Sequence, residues 1–147
     1  MKSFWNESDR REILERLRRI DPETPPMWGK MTADKIVCHL GDQLRLAYAE
    51  IPAEKPRGAL RFWPINALII RVLPWPKGAP TPQESWTTAP KAWQEDLRTL
   101  EALVEEFGRK PREGPWPDHG LFGKMSGSLW GILSYRHFDH HLRQFGV

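Results

Sequence analysis

Residues 130–146 read Trp130-Gly131-Ile132-Leu133-Ser134-Tyr135-Arg136-His137-Phe138-Asp139-His140-His141-Leu142-Arg143-Gln144-Phe145-Gly146. On a helical wheel with Trp130 at the origin, Leu133, Ser134, Phe138, Leu142 and Phe145 fall on an arc from about −60° to about 120°. His137, His141 and Gln144 fall inside the same arc, whereas Arg136, Asp139 and Arg143 lie opposite. The spacing predicts a helix that puts three hydrogen-bonding side chains on the face that should be core. An unpaired buried polar group costs ~1 to 3 kcal/mol, so something has to satisfy these imidazoles. His137 and His141 form an H-x-x-x-H pair with Cβ atoms ~5 to 6 Å apart on one face, close enough for both rings to reach one metal ion at ~2.0 to 2.1 Å.

Working outward, Ser126 or Ser128 can cap this last helix, which ends near Phe145-Gly146. A Pro- and Gly-rich link, Trp116-Pro117-Asp118-His119-Gly120, precedes it. A third helix is predicted to start at Thr88-Ala89-Pro90 and to run through Trp93, Leu97, Leu100, Val104 and Phe107 to Gly108. A second starts at Thr32-Ala33-Asp34 and reaches about Glu50, with Ile36, Val37, Leu40, Leu44, Ala47 and Tyr48 as its buried stripe. His39 and Gln43 lie along one edge of that stripe. The first spans Asn6 to Ile20, with Ile13, Leu14, Leu17 and Ile20 inward and Glu12–Arg16 and Glu15–Arg19 as charge pairs on the wet side. Between the second and third helices, Ile51 to Pro90 holds eight of the 14 prolines, which forbids a continuous helix. The expectation there is a long crossover carrying a short apolar helix, Ile65 to Leu73. Its tryptophans, Trp63, Trp75 and Trp86, can roof a pocket, form a dimer surface or simply cover core. With no strand alternation and no internal repeat, the chain reads as a single all-α domain, residues 1–147.

Composition narrows the function classes. The 147 residues are 39% hydrophobic and 28% charged, enough to bury a core without disulfides or a structural metal. Any metal should therefore be functional. Cys38, the single cysteine, excludes an intramolecular disulfide. A net charge of +3, with acids interleaved among the arginines of the first and third helices, offers no basic stripe for nucleic acid. The opening residues carry no secretory h-region, and the longest apolar stretch falls short of the ~20 residues of a membrane span. A soluble cytoplasmic protein is expected.

Two histidines do not complete a metal site, and His39, inward on the second helix, is the best third ligand. Taken alone, His39 also reads as an ordinary hydrogen-bonded core histidine. Three histidines with open positions describe a substrate-binding or catalytic metal, because structural zinc is closed by four ligands and rich in cysteine. Gln43, His119, Trp130, His140 and Gln144 are candidates to line the site or orient its ligands, with a backbone-bonded buried amide as the competing reading of Gln144. Cys38 points away from the His39 edge and reads as a small apolar filler.

The run from Trp130-Gly131 to Gln144-Phe145-Gly146 resembles the final helix of the DinB-like superfamily, with its H-x-x-H-H-x-x-Q pattern. Trp28-Gly29-Lys30-Met31-Thr32, leading to Cys38-His39-Leu40, resembles the start of the second helix in an uncharacterised subfamily, and His119 to Gly123 resembles its pre-helix loop. The crossover is unmatched. The resemblance implies an up-down-down-up four-helix bundle that often dimerises and binds a divalent metal through three histidines, which map onto His39, His137 and His141. Zinc is the leading candidate, with nickel and iron also associated with such sites. It further implies transfer or isomerisation chemistry that uses a low-molecular-weight thiol, with a transferase acting on a small-molecule substrate as the leading expectation. A non-catalytic metal-binding or protein-interaction module is the competing expectation.

Overall fold

Helices form where apolar residues keep a helical period and proline is absent. The computed structural model describes residues 1–55, 58–77 and 87–147. Its α-helices are α1 (Glu7–Leu17), α2 (Ala33–Ala47), α3 (Ile65–Arg71), α4 (Trp93–Phe107) and α5 (Gly127–Gln144), with a 3-10 turn at Ala59–Arg61. Among the described residues there is no strand; His119 and Gly123 form one isolated bridge through backbone bonds of 2.8 and 2.7 Å. Trp86 lies outside the described residues.

Several boundaries differ from the sequence expectation, each for a local reason. α1 stops at Leu17 rather than Ile20, and the chain leaves it through tight turns at Arg19 and Ile20. Glu12 and Arg16 pair at 3.6 Å, whereas Glu15 and Arg19 form no ion pair among the described residues. α2 ends at Ala47 because Ala49 adopts a left-handed φ of 59°. Thr32 occupies the N-cap, but its hydroxyl bonds the Asp34 carboxylate instead of a backbone amide.

The largest shift is at α4, which begins at Trp93 and not at Thr88-Ala89-Pro90. The Asp42 carboxylate, on α2 and 0% exposed, accepts from Thr87 N (2.9 Å), Thr88 N (2.8 Å) and Thr88 Oγ1 (2.5 Å). Those amides are held by a side chain on another helix, so the helical ladder starts later, with Asp96 accepting from Lys91 N at 2.8 Å. At α5, Ser126 is the cap: its Oγ accepts from Leu129 N.

α2 packs against α4 and α5, α1 against α5 and α4, and α3 against α5. Phe4 fastens the N-terminal segment into this core, with its ring 4.9 Å from Phe138 and 5.7 Å from Phe107 and its amide donating to Gly131 O. Gly131 is needed there. A Cβ on it would lie 2.4 Å from the Trp5 ring, whose Nε1 donates to Gly127 O at 2.8 Å.

Candidate metal centre

α2 and α5 run in opposite directions along their contact, since His39 meets His137 and His141 while Gln43, one turn on, meets Ser134, one turn back. This register brings three rings to a point. The Nε2 atoms of His39 and His137 stand 3.0 Å apart, those of His39 and His141 3.2 Å, and those of His137 and His141 3.0 Å. Two donors ~2.1 Å from a shared ion stand ~3.0 Å apart at a right angle and ~3.4 Å apart at the tetrahedral angle. The observed triangle fits that interval on every edge, so the three histidines can hold one metal ion.

The protonation of the rings points the same way. Gln144 Nε2 donates to the Trp28 carbonyl at 2.8 Å, which turns Gln144 Oε1 toward His141 Nδ1 at 2.9 Å. That acceptor requires the His141 proton on Nδ1, leaving a lone pair on Nε2. Burial opposes a second proton: the His141 imidazolium is pushed down to about 3, and burial together with the neighbouring imidazoles holds His137 well below the ordinary histidine range. The His141 lone pair thus faces the Nε2 atoms of His137 and His39 at 3.0 and 3.2 Å, where a cation could be shared. His39 is 2% exposed and His141 is buried, while His137 keeps partial contact with solvent.

The remaining candidates take separate places. His140 is outside the cluster, half-buried between the rings of Trp28 (6.1 Å) and Trp75 (6.3 Å) and edge-on to His141 at 5.1 Å. His119 Nδ1 accepts from Leu121 N at 3.0 Å and Phe122 N at 3.3 Å, so it organises its own loop; burial pushes its pKa down to about 4. Trp130 is fully buried core, tied to that loop by Nε1 donating to Pro117 O at 3.0 Å. Gln43 donates to Ser134 Oγ at 3.1 Å, beside the cluster, while its buried Oε1 has no partner among the described residues. Burial pushes the Cys38 thiol up to about 11, in keeping with a filler.

Sequence reasoning named Trp75 only as one of three crossover tryptophans that could roof a pocket, and it did not assign Trp28 or Gly29 to the site. Trp28 supplies the carbonyl that orients Gln144, and Gly29, at φ 76°, leaves room for that amide, since a Cβ would lie 2.8 Å from Gln144 Nε2. Trp75 lies over His137 at 6.0 Å, and its buried Nε1 lacks a partner among the described residues. The signal for Gly29 was a glycine directly after an aromatic and shortly past two prolines; Trp75 could not be told from its neighbours, because proline-rich chain carries no period. A surface concavity of ≈ 500 Å³ lined by Lys2, Glu12, Arg16, Tyr135 and Asp139 lies on the opposite face of α5. Its charges pair with one another, Lys2 with Glu12 and Arg16 with Asp139, so it offers no counterpart to the imidazole cluster. No helix among the described residues is long and apolar enough to cross a membrane. In comparisons with known proteins, no family model, no curated protein and no solved structure matches the chain.

Proposed function

We propose that the protein is a divalent-metal enzyme acting on a small molecule, with His39, His137 and His141 as ligands and a low-molecular-weight thiol as co-substrate. The reading rests on one observation: three Nε2 atoms within 3.2 Å of one another, with no carboxylate or thiolate among them. A neutral donor set leaves the ion's charge uncompensated, which suits zinc first and nickel or iron next. When bound, such a cation lowers the pKa of a coordinated thiol and so supplies the nucleophile near neutral pH.

The chain's own residues do the rest. Gln144 keeps His141 in its ligating tautomer, and Trp75, Trp28 and His140 wall the side on which His137 meets solvent. Trp75 Nε1 and Gln43 Oε1, a donor and an acceptor left without partners among the described residues, are groups a seated substrate would satisfy. In this reading the four longer helices form a DinB-like bundle of up-down-down-up course. The packing of α2 against α4 across the long crossover supports it.

Cobalt substitution tests the proposal. One Co²⁺ per chain is expected, with visible bands that shift and gain a sulfur charge-transfer feature when a small thiol is added; His137→Ala should abolish both. Absence of stoichiometric metal binding, or a cobalt spectrum indifferent to every thiol, rejects it.

A further inference from the structure

The loop that leads into α5 is closed around His119. His119 and Gly123 exchange backbone bonds of 2.8 and 2.7 Å, Trp130 Nε1 donates to Pro117 O at 3.0 Å, and Asn66 Nδ2 donates to Phe122 O at 3.1 Å. Within it, His119 Nδ1 accepts from Leu121 N at 3.0 Å and from Phe122 N at 3.3 Å. Two amides aimed at one ring nitrogen occupy its lone pair, so the single proton of the neutral ring sits on Nε2. Burial keeps the ring neutral by pushing its pKa down to about 4. His119 is thereby fixed as an uncharged N–H donor, and that N–H makes no hydrogen bond among the described residues. Closing the loop needs only the acceptor on Nδ1, which the shorter side chain of asparagine would also supply. The donor on Nε2 is surplus to the loop.

Its position relates it to the imidazole cluster. Trp130, Ser134, His137 and His141 follow one another along the inward face of α5, and the His119 ring lies 5.4 Å from the Trp130 ring. A proton on His119 would disfavour one on His137, more strongly than a proton on His140 would, so the two rings stand within electrostatic reach. About one turn from both Trp130 and His137, Ser134 holds Gln43, whose buried Oε1 has no partner among the described residues. Buried polar groups are normally paired, so a donor and an acceptor left over along one stretch of a helix face point to a ligand that pairs them.

We infer that His119 Nε2–H is the binding donor for a carbonyl oxygen of the small molecule that meets the thiol at the metal. The inference rests on the function proposed above and names the class of its substrate. A cationic donor would select a carboxylate or phosphate, whereas a neutral one suits an uncharged acceptor such as a carbonyl oxygen with its two lone pairs. A neutral imidazole whose basicity is suppressed polarises a carbonyl while keeping its own proton.

Thiol titrations of the cobalt-loaded protein, read by the sulfur charge-transfer band, test it. Methyl thioglycolate and 1-propanethiol present the same sulfur with and without a carbonyl. The ester is expected to bind more tightly, and His119→Asn should shrink its advantage about tenfold. The asparagine oxygen replaces Nδ1 as acceptor for Leu121 N and Phe122 N, so the thiol-free cobalt spectrum and the affinity for 1-propanethiol should match wild type. A displaced loop would change both. An advantage equal in variant and wild type overturns the inference and leaves the thiol reading standing. A spectrum indifferent to both thiols rejects the thiol reading instead. Acetohydroxamate, a carbonyl-bearing metal ligand, then decides His119 by itself: equal affinities overturn its role, and about tenfold weaker binding to the variant upholds it. Failure to bind cobalt at all rejects both.

Discussion

Gln144 bridges two roles: its amide nitrogen is spent on the Trp28 carbonyl and its oxygen on His141 Nδ1. Removing it frees the tautomer and orientation of a ligand without touching the donor atom. Gln144→Leu should weaken zinc affinity ~10- to 100-fold, while Gln144→Glu, which keeps the acceptor, should lose less. Gly29→Ala should weaken affinity in the same direction, because its Cβ would displace Gln144 Nε2. Competitive chelator titration measures all three; affinities equal to wild type would remove Gln144 as a positioning residue. Acid titration belongs to the same scale. Burial lowers His141 to about 3 and His119 to about 4 in the folded protein, against 6.5 unfolded. The unfolded chain therefore binds more protons between these values. The stability contributed is fully present above 6.5 and is lost as pH falls through that value toward the folded pKa. The melting temperature of metal-free protein should drop steadily from pH ~7 to ~4, at up to ~1.4 kcal/mol per histidine per pH unit. A flat profile would contradict these burial shifts.

At the scale of elements, one buried side chain decides where a helix begins. Asp42 on α2 holds Thr87 and Thr88 and so delays α4, and the Arg45 guanidinium at 3.1 Å balances its charge. Asp42→Ala leaves buried donors unpaired and should cost ~2 to 4 kcal/mol, a fall in melting temperature of roughly 4 to 16 °C. A fall below ~2 °C would mean that solvent replaces the carboxylate. Ser126 was legible as a helix start because a cap is a local matter of a hydroxyl and the next few amides, and Thr32 marks the start of α2 although its hydroxyl is taken by the Asp34 carboxylate. Thr88 has the same chemistry, yet its amide and hydroxyl are claimed from another helix 46 residues away. No window of sequence contains that competitor.

At the scale of the whole molecule, the imidazole cluster joins α2 to α5, so an ion there would act as a cross-link between His39 and His137, 98 residues apart in sequence. Ligand that binds the native state alone stabilises it by ~2.7 kcal/mol at a hundredfold excess over Kd. Zinc should thus raise the melting temperature of wild-type protein by roughly 5 to 10 °C and leave His39→Ala and His141→Ala unmoved. An equal rise in the variants would place the metal elsewhere.

The inward face of α5, the H-x-x-x-H pair and the inward edge carrying His39 were determined by the sequence itself. Each follows from the helical period, which fixes direction once the residues are in order. The tertiary structure alone decided the antiparallel register of α2 on α5, which sets the rings 3.0 to 3.2 Å apart, and the arrival of Trp28, Gly29 and Trp75 beside them. A period specifies which way a side chain faces along its own axis. Only packing specifies which other axis it meets, because that depends on the fit of every buried side chain at once.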